Sequence, residues 1–278
     1  MGTDVAALRN DETNIRSTYL ALRTAMILLV VMLFVTIVFQ ALVNAHCLQH
    51  SISAYYYTGV RGAFVGTLCS VGVCLIVYHG NTNAENVLLD YSGFMAFVVA
   101  FVPTKVDNTC TAVNVPTVDE VTAAVRNNVS GLIVVGAAAV LLGLFGKRYA
   151  ATRELRHDAY ARTAAILSLI VLAAGAAFFV FLPTTFERVG HAVSATALFA
   201  GIVAVVGANA VGLRRTSGVW NRYTVVAAAM LASAGGCFLA RGLGFGHWLL
   251  VLEALLIAEF AAFWFIQTRE LRGRVRRS

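Results

Sequence analysis

Long apolar runs separated by short polar or charged stretches dominate the chain. A helix needs about 20 mostly apolar residues to cross a bilayer, with crowded or tilted segments varying around that length. Eight runs approach it: Ala25–Ala45, Gly62–Tyr78, Val87–Val102, Gly131–Gly146, Arg162–Leu182, His191–Leu213, Tyr223–Ala240 and His247–Gln267. The third is the least apolar, with Asp90 in its first turn. The first is too long and starts too late for a cleaved signal peptide, and no small-x-small site follows it. Ahead of it, Val5, Leu8, Ile15, Tyr19 and Leu22 recur at helical spacing, with Arg9, Asp11, Glu12 and Arg16 between them. That pattern predicts an interfacial amphipathic helix. The expected class is all-α: a polytopic transmembrane bundle over 25–268, flanked by an N-terminal segment 1–24 and a basic tail 269–278.

Two stretches carry helix-start chemistry. In Pro116-Thr117-Val118-Asp119-Glu120, Thr117 and Glu120 have capping-box spacing, in which each side chain accepts a backbone N–H of the other. Pro183-Thr184-Thr185-Phe186-Glu187 offers similar residues. Pro116 stands as far from Lys147-Arg148 as Pro183 does from Arg214-Arg215. This is consistent with a parallel repeat of helix pairs, segments three–four and five–six. Two independent helix starts with the same capping chemistry would look alike. Gly62-x-x-x-Gly66 reads as a site of close helix packing.

Composition agrees with the pattern: 59% of residues are hydrophobic and 13% charged. Soluble domains are about half apolar and about a quarter charged, so this chain cannot cover a core with polar surface. Disordered, collagen-like and disulfide-scaffold classes are excluded as well. The net charge of +7 does not point to nucleic acid, because the bases cluster at the ends of apolar runs. With both termini cytoplasmic, sixteen Lys and Arg fall inside and five outside, the asymmetry that orients a bundle of eight spans. The long 103–130 connection is then external. Cys69, Cys74 and Cys237 sit inside apolar runs and read as small core residues. Cys47 and Cys110 lie outside the runs on the same oxidising side, placed to form a disulfide.

The stretch Ser51-Ile52-Ser53-Ala54-Tyr55-Tyr56-Tyr57-Thr58-Gly59-Val60-Arg61, followed by Phe64-Val65-Gly66, resembles a group of uncharacterised bacterial multi-pass membrane proteins with a Ser-x-Ser-x-Tyr-Tyr-Tyr-Thr lead-in to an early helix. Phe101-Val102-Pro103-Thr104, His191-x-x-Ser194-Ala195, Asn221-Arg222-Tyr223 and the last helix with Glu253 add to the likeness. In that group Pro-Thr leads directly to the His helix, whereas here segments four and five intervene. The resemblance implies a bacterial multi-pass membrane protein and carries no activity.

The topology gathers Ser51, Ser53, Tyr55, Tyr56, Tyr57, Arg61, His191, Arg241, His247 and Glu253 into one outer layer. Glu253, six residues into the last run, would lie about 9 Å deep by helical rise. A charge at that depth faces a cavity or a partner; Arg61 or Arg241 is the first expected partner, with His191 or a tyrosine of the Tyr55–Tyr57 run also within expected reach. The layer reads either as a structural ion pair within an interfacial belt or as an outward-facing pocket for a lipid, small molecule or partner. Glu259 lies deeper and off the face of Glu253, so it is either protonated or bonded to a neighbouring helix. If a metal binds, His191, His247 and Glu253 would hold it, as zinc is held in the alkaline ceramidase and adiponectin-receptor superfamily. This chain has no His-x-x-x-His on the last run, and Asp90 stands at the opposite end, so no cofactor is expected. The leading expectation is a non-enzymatic protein of a bacterial plasma (inner) membrane with an outward-facing polar pocket, its contacts being the lipid bilayer, a lipid or small-molecule ligand, and an oligomer or membrane-complex partner. A small secondary transporter and a membrane zinc hydrolase are the alternatives. The inner half reads as mostly Ala, Val, Leu and Gly, which weighs against a wide aqueous route.

Overall fold

The computed structural model describes residues 2–80, 82–106, 110, 116–145 and 159–275. Among these residues there are eight α-helices and no strand. We number them α1 (Gly2–Phe39), α2 (Arg61–Val77), α3 (Asn83–Phe101), α4 (Val118–Phe145), α5 (Ala159–Phe181), α6 (Pro183–Ser217), α7 (Arg222–Gly242) and α8 (Trp248–Val275). Six helical segments are long and apolar enough to cross a membrane, within α1, α3, α4, α6, α7 and α8; α2 and the described apolar part of α5 are shorter. The fold is a multi-pass helix bundle suited to a lipid bilayer. Most of the basic stretch 147–162 and the last residues of the tail lie outside the described residues.

The apolar segments carry apolar residues on more than one face, as helices with both protein and lipid as neighbours do. On α1, Met26, Val30, Leu33 and Ile37 are buried at three- and four-residue spacing, the repeat that keeps one helical face on the core. Leu28, Val31, Val35 and Val38 on the opposite face are exposed, an apolar surface that fits a lipid bilayer. Burying a side chain such as Leu or Met contributes about 1.5–3 kcal/mol when the alternative is water. In a membrane, where that alternative is lipid, the inner face is selected by close packing.

The helices close a ring in the order α1–α2–α3–α6–α7–α8 and back to α1. The pair α4–α5 packs outside it, against α3 and α6. A small separate cluster joins Val98 and Val102 of α3, Val125 and Val129 of α4, and Phe186 of α6. The ring therefore passes from α3 to α6 over the intervening pair. This arrangement does not support the helix-pair repeat: α3 and α6 are ring members, whereas α4 and α5 are peripheral, so equivalent helices would occupy unlike places.

The helix starts differ too. Thr117 Oγ1 accepts from the Glu120 N–H at 3.2 Å and Glu120 Oε2 accepts from the Thr117 N–H at 2.8 Å, a complete capping box. α6 begins instead with Pro183 after Leu182, with no side-chain cap: leucine has no acceptor to offer, and proline at the first helical position removes one N–H that would otherwise be an orphan. Glu187 accepts from Thr122 Oγ1 of α4 at 3.3 Å. The amphipathic stretch before the first run is not a separate helix but continuous with it in α1, which ends in a π-helical turn at Gln40–Asn44.

Close packing falls on glycines other than the expected pair. A Cβ on Gly62 or Gly66 would meet nothing within 4 Å, so that spacing makes no seam in the chain. A Cβ on Gly72 would stand 2.8 Å from the Gly93 carbonyl oxygen, and one on Gly93 would stand 2.7 Å from that of Gly72. With any larger residue at either position, α2 and α3 could not approach this closely.

Candidate functional site

Polar chemistry collects at both ends of the ring. At the end carrying Cys47 and Cys110, the Ser51–Thr58 segment folds inward and forms a short 3₁₀ helix, Ser53–Tyr57. A helix start leaves N–H groups without partners, and here two side chains take them. Glu253 Oε2 of α8 accepts from the N–H of Ile52 at 2.6 Å and of Ser53 at 3.2 Å. Its Oε1 accepts from Ser53 Oγ at 3.1 Å, and Ser51 Oγ accepts from the Ala54 N–H at 3.1 Å. Glu253, Ser51 and Ser53 are all buried. Thr58 closes the segment, its Oγ1 donating to the Tyr55 carbonyl at 2.8 Å.

Glu253 thus faces the bundle interior, but its partner is neither Arg61 nor Arg241. Backbone N–H groups already supply the donors a buried carboxylate requires. Arg61 Nε donates to the Tyr56 carbonyl at 2.9 Å, and its guanidinium lies 4.8 Å from the Tyr56 ring centroid. Arg241 is exposed and stacks on Trp248 at 4.9 Å. His247 stands beside the Phe245 ring at 6.2 Å. His191 Nδ1 reaches the Val102 carbonyl at 2.6 Å, tying α6 to the end of α3.

The three tyrosines serve separate roles. Tyr57 donates to the Thr104 carbonyl at 2.6 Å, and burial, with Tyr56 beside it, pushes its hydroxyl up to about 12 against the opposing pull of Arg61. The Tyr55 hydroxyl accepts from the Gln49 N–H at 3.5 Å and is also raised by burial. Tyr56 carries the Arg61 stack. Cys47 and Cys110 are disulfide-bonded with their Cα atoms 5.9 Å apart. The predicted layer therefore divides into a buried lock of Ser51, Ser53 and Glu253 and several separate contacts around it. Among the described residues, no three His, Cys, Asp or Glu side chains come close enough to hold a metal ion, and His191, His247 and Glu253 engage different partners.

Below the lock lies a nearly apolar cavity of about 80 Å³, with Ser53 and Glu253 on its wall together with residues such as Leu33, Phe64, Leu198 and Phe260. Glu259 is outside that lining and accepts from Ser233 Oγ of α7 at 2.7 Å, one of its two expected states.

The opposite end holds a cluster absent from the sequence expectation. Arg23 of α1 donates to the Gln267 carbonyl of α8 at 2.7 Å and to the Tyr78 hydroxyl. Tyr78 donates to Gln267 Oε1 at 3.2 Å, Gln267 Nε2 to Asn209 Oδ1 of α6 at 3.3 Å, and Asn209 Nδ2 to Glu85 Oε1 of α3 at 2.8 Å. Glu85 is only 2% exposed. Arg23 keeps a buried Nε without a partner. Arg23, Glu85, Asn209, Tyr223, Gln267 and Glu270 line a cavity of about 320 Å³. Glu270 is paired with Arg222 at 2.6 Å. This end of the ring is thus polar and roomy, contrary to the Ala, Val, Leu and Gly inner half read from the runs. The available signal was Asn209, isolated within apolar sequence, and Gln267 at the end of the last apolar run.

Comparison with protein-family models, curated proteins and solved structures finds no match.

Proposed function

We propose that the chain is a non-enzymatic ligand-binding protein of a bacterial plasma membrane, with eight spans, both termini cytoplasmic, and a solute pocket facing the cytoplasm. The carrying observation is the cavity of about 320 Å³ between Arg23, Glu85, Asn209 and Gln267, a size at which small-molecule pockets begin. It replaces the outward-facing Ser/Tyr/Glu253 pocket, where Glu253 is taken up by Ile52 and Ser53 and the Tyr55 and Tyr57 hydroxyls by Gln49 and Thr104. Both charge signs line the cavity, and the buried Arg23 Nε still offers a donor. These features suit a small zwitterionic solute, its anionic group toward Arg23 and its cationic group toward Glu85. The test is thermal unfolding of purified protein against a panel of amino acids and betaines. A ligand at a hundredfold excess over its Kd adds about 2.7 kcal/mol to stability, and Glu85→Gln should abolish that rise. A panel without effect, or an effect that survives Glu85→Gln, would refute the reading.

One observation favours a second reading, a small secondary transporter. The lock at Glu253, the cavity of about 80 Å³ and the polar cavity of about 320 Å³ are all enclosed by the same ring helices. Counterflow of the stabilising solute into proteoliposomes would separate carriage from binding alone.

A further inference from the structure

A second pocket lies at the disulfide end, outside both the Glu253 lock and the polar cavity. It has a volume of about 430 Å³ and is walled by Pro103–Val106, after α3, by Arg188, Val189, His191 and Ala192 of α6, and by His50. No acidic side chain among the described residues contributes to its lining. Among the described residues, Lys105 and Arg188 have no carboxylate partner within salt-bridge distance. His191 is only 8% exposed, and its Nδ1 is committed to the Val102 carbonyl at 2.6 Å. A carbonyl only accepts, so Nδ1 carries the proton, and Nε2 of the neutral ring presents a lone pair. That Nε2 is buried and without a partner. An orphaned buried polar atom costs free energy unless a ligand or water serves it.

Among the lining residues, which also include His50 and Thr104, Lys105, Arg188 and His191 offer two cations and one acceptor. A ligand that satisfies all three carries negative charge and donates a proton. We propose that this pocket binds monohydrogen phosphate or a phosphomonoester, with the charged oxygens on Arg188 and Lys105 and the P–OH donating to His191 Nε2. A phosphomonoester has a second pKa near 6, so a fraction keeps that proton at neutral pH. Sulfate and phosphodiester groups have no such proton and would face the Nε2 lone pair with an oxygen lone pair. Arginine suits the charged side of the ligand because its fork binds two phosphate oxygens at once. This inference is independent of the proposed solute cavity, which is built from other residues at the other end.

The test is calorimetric titration of the full chain in neutral detergent with inorganic phosphate, against sodium sulfate at equal ionic strength. Phosphate is expected to bind and sulfate to bind at least about tenfold more weakly. Combined Lys105→Ala and Arg188→Ala, both at exposed positions, should weaken phosphate at least about tenfold without lowering the unfolding temperature. His191→Asn keeps a donor for the Val102 carbonyl and removes Nε2, so it should erase the preference over sulfate. Titrations in nanodiscs of phosphatidylcholine with and without phosphatidic acid separate the sources. Loss of phosphate binding only with phosphatidic acid identifies a lipid headgroup as the occupant, and unchanged binding identifies free phosphate. No phosphate binding at millimolar concentration, equal sulfate binding, or binding unaffected by the double substitution would overturn the proposal.

Discussion

Removing the Glu253 carboxylate should unlock the Ser51–Thr58 segment. In the structure Glu253 takes the N–H groups of Ile52 and Ser53 at 2.6 and 3.2 Å and the Ser53 hydroxyl at 3.1 Å. Glu253→Ala leaves both N–H groups buried without an acceptor. At about 1–3 kcal/mol for each orphaned group, the expected loss is about 2–6 kcal/mol. Glu253→Gln keeps one oxygen in the Oε2 position for both N–H groups but gives up charge assistance, which roughly doubles hydrogen-bond strength. A loss of about 1–2 kcal/mol follows. Leu255→Ala, on an outward-facing position of the same helix, is the comparison and should change stability by about 0.5 kcal/mol or less. Unfolding in detergent should rank Glu253→Ala as the most destabilised, then Glu253→Gln, then Leu255→Ala. Ala54 is only 2% exposed, so a cysteine placed there by Ala54→Cys should be inert to an impermeant maleimide and become reactive when combined with Glu253→Ala. If Glu253→Ala unfolds like Leu255→Ala, or the cysteine at position 54 stays inert, the carboxylate does not hold the segment.

Two other outcomes test the packing and the covalent tie. Gly72→Ala and Gly93→Ala each drive a Cβ to within 2.8 Å of a carbonyl oxygen on the facing helix; overpacking of this kind costs about 1–3 kcal/mol. Gly62→Ala and Gly66→Ala meet open space and should gain about 0.5–1 kcal/mol from helix propensity; unfolding temperatures ranked the other way would refute the α2–α3 seam. The Cys47–Cys110 bond spans a sequence separation of 63 residues, and chain entropy assigns such a loop about 4 kcal/mol. Intact mass after denaturation and alkylation should gain two labels at these cysteines only with reductant present, while labelling of both without it would exclude the bond.

The helices were legible because a membrane imposes its own length on apolar runs, and length survives in sequence without any knowledge of partners. Local chemistry was legible as well. The Thr117–Glu120 box needs only residues three apart, and Cys47 and Cys110 stood out because they lie outside the apolar runs. What escaped depended on contacts between distant segments. Glu253 visibly needed donors, but the side-chain alphabet offers only Arg61, Arg241, His191 and the motif tyrosines as candidates. The actual donors are backbone N–H groups of Ile52 and Ser53, which every non-proline residue possesses and which matter only where a helix start is buried. Gly62-x-x-x-Gly66 has a recognisable spacing and no neighbour, whereas Gly72 and Gly93 meet from two different helices and have no shared spacing to recognise. The polar cavity draws Arg23, Glu85, Asn209, Tyr223 and Gln267 from five separate helices. Read singly, these are an orienting base, a loop acid and isolated amides.

The two ends of the ring differ in what must break for either to open. At the disulfide end, opening strips acceptors from backbone N–H groups that no other described side chain serves, and the nearby disulfide limits how far the segment can withdraw. At the opposite end, apart from Arg23 on the Gln267 carbonyl, the bonds run from side chain to side chain, Tyr78 to Gln267 to Asn209 to Glu85. Amides there can exchange one partner for another by rotamer change, with little movement of the helices. A polar ligand in the cavity of about 320 Å³ can take over those same hydrogen bonds, so its own groups offset those it displaces. Opening at the disulfide end has no such compensation, because the cavity of about 80 Å³ beneath the lock is nearly apolar. For the proposed solute, entry therefore belongs to the polar end, and any passage across the ring is limited by release of Ile52 and Ser53 from Glu253.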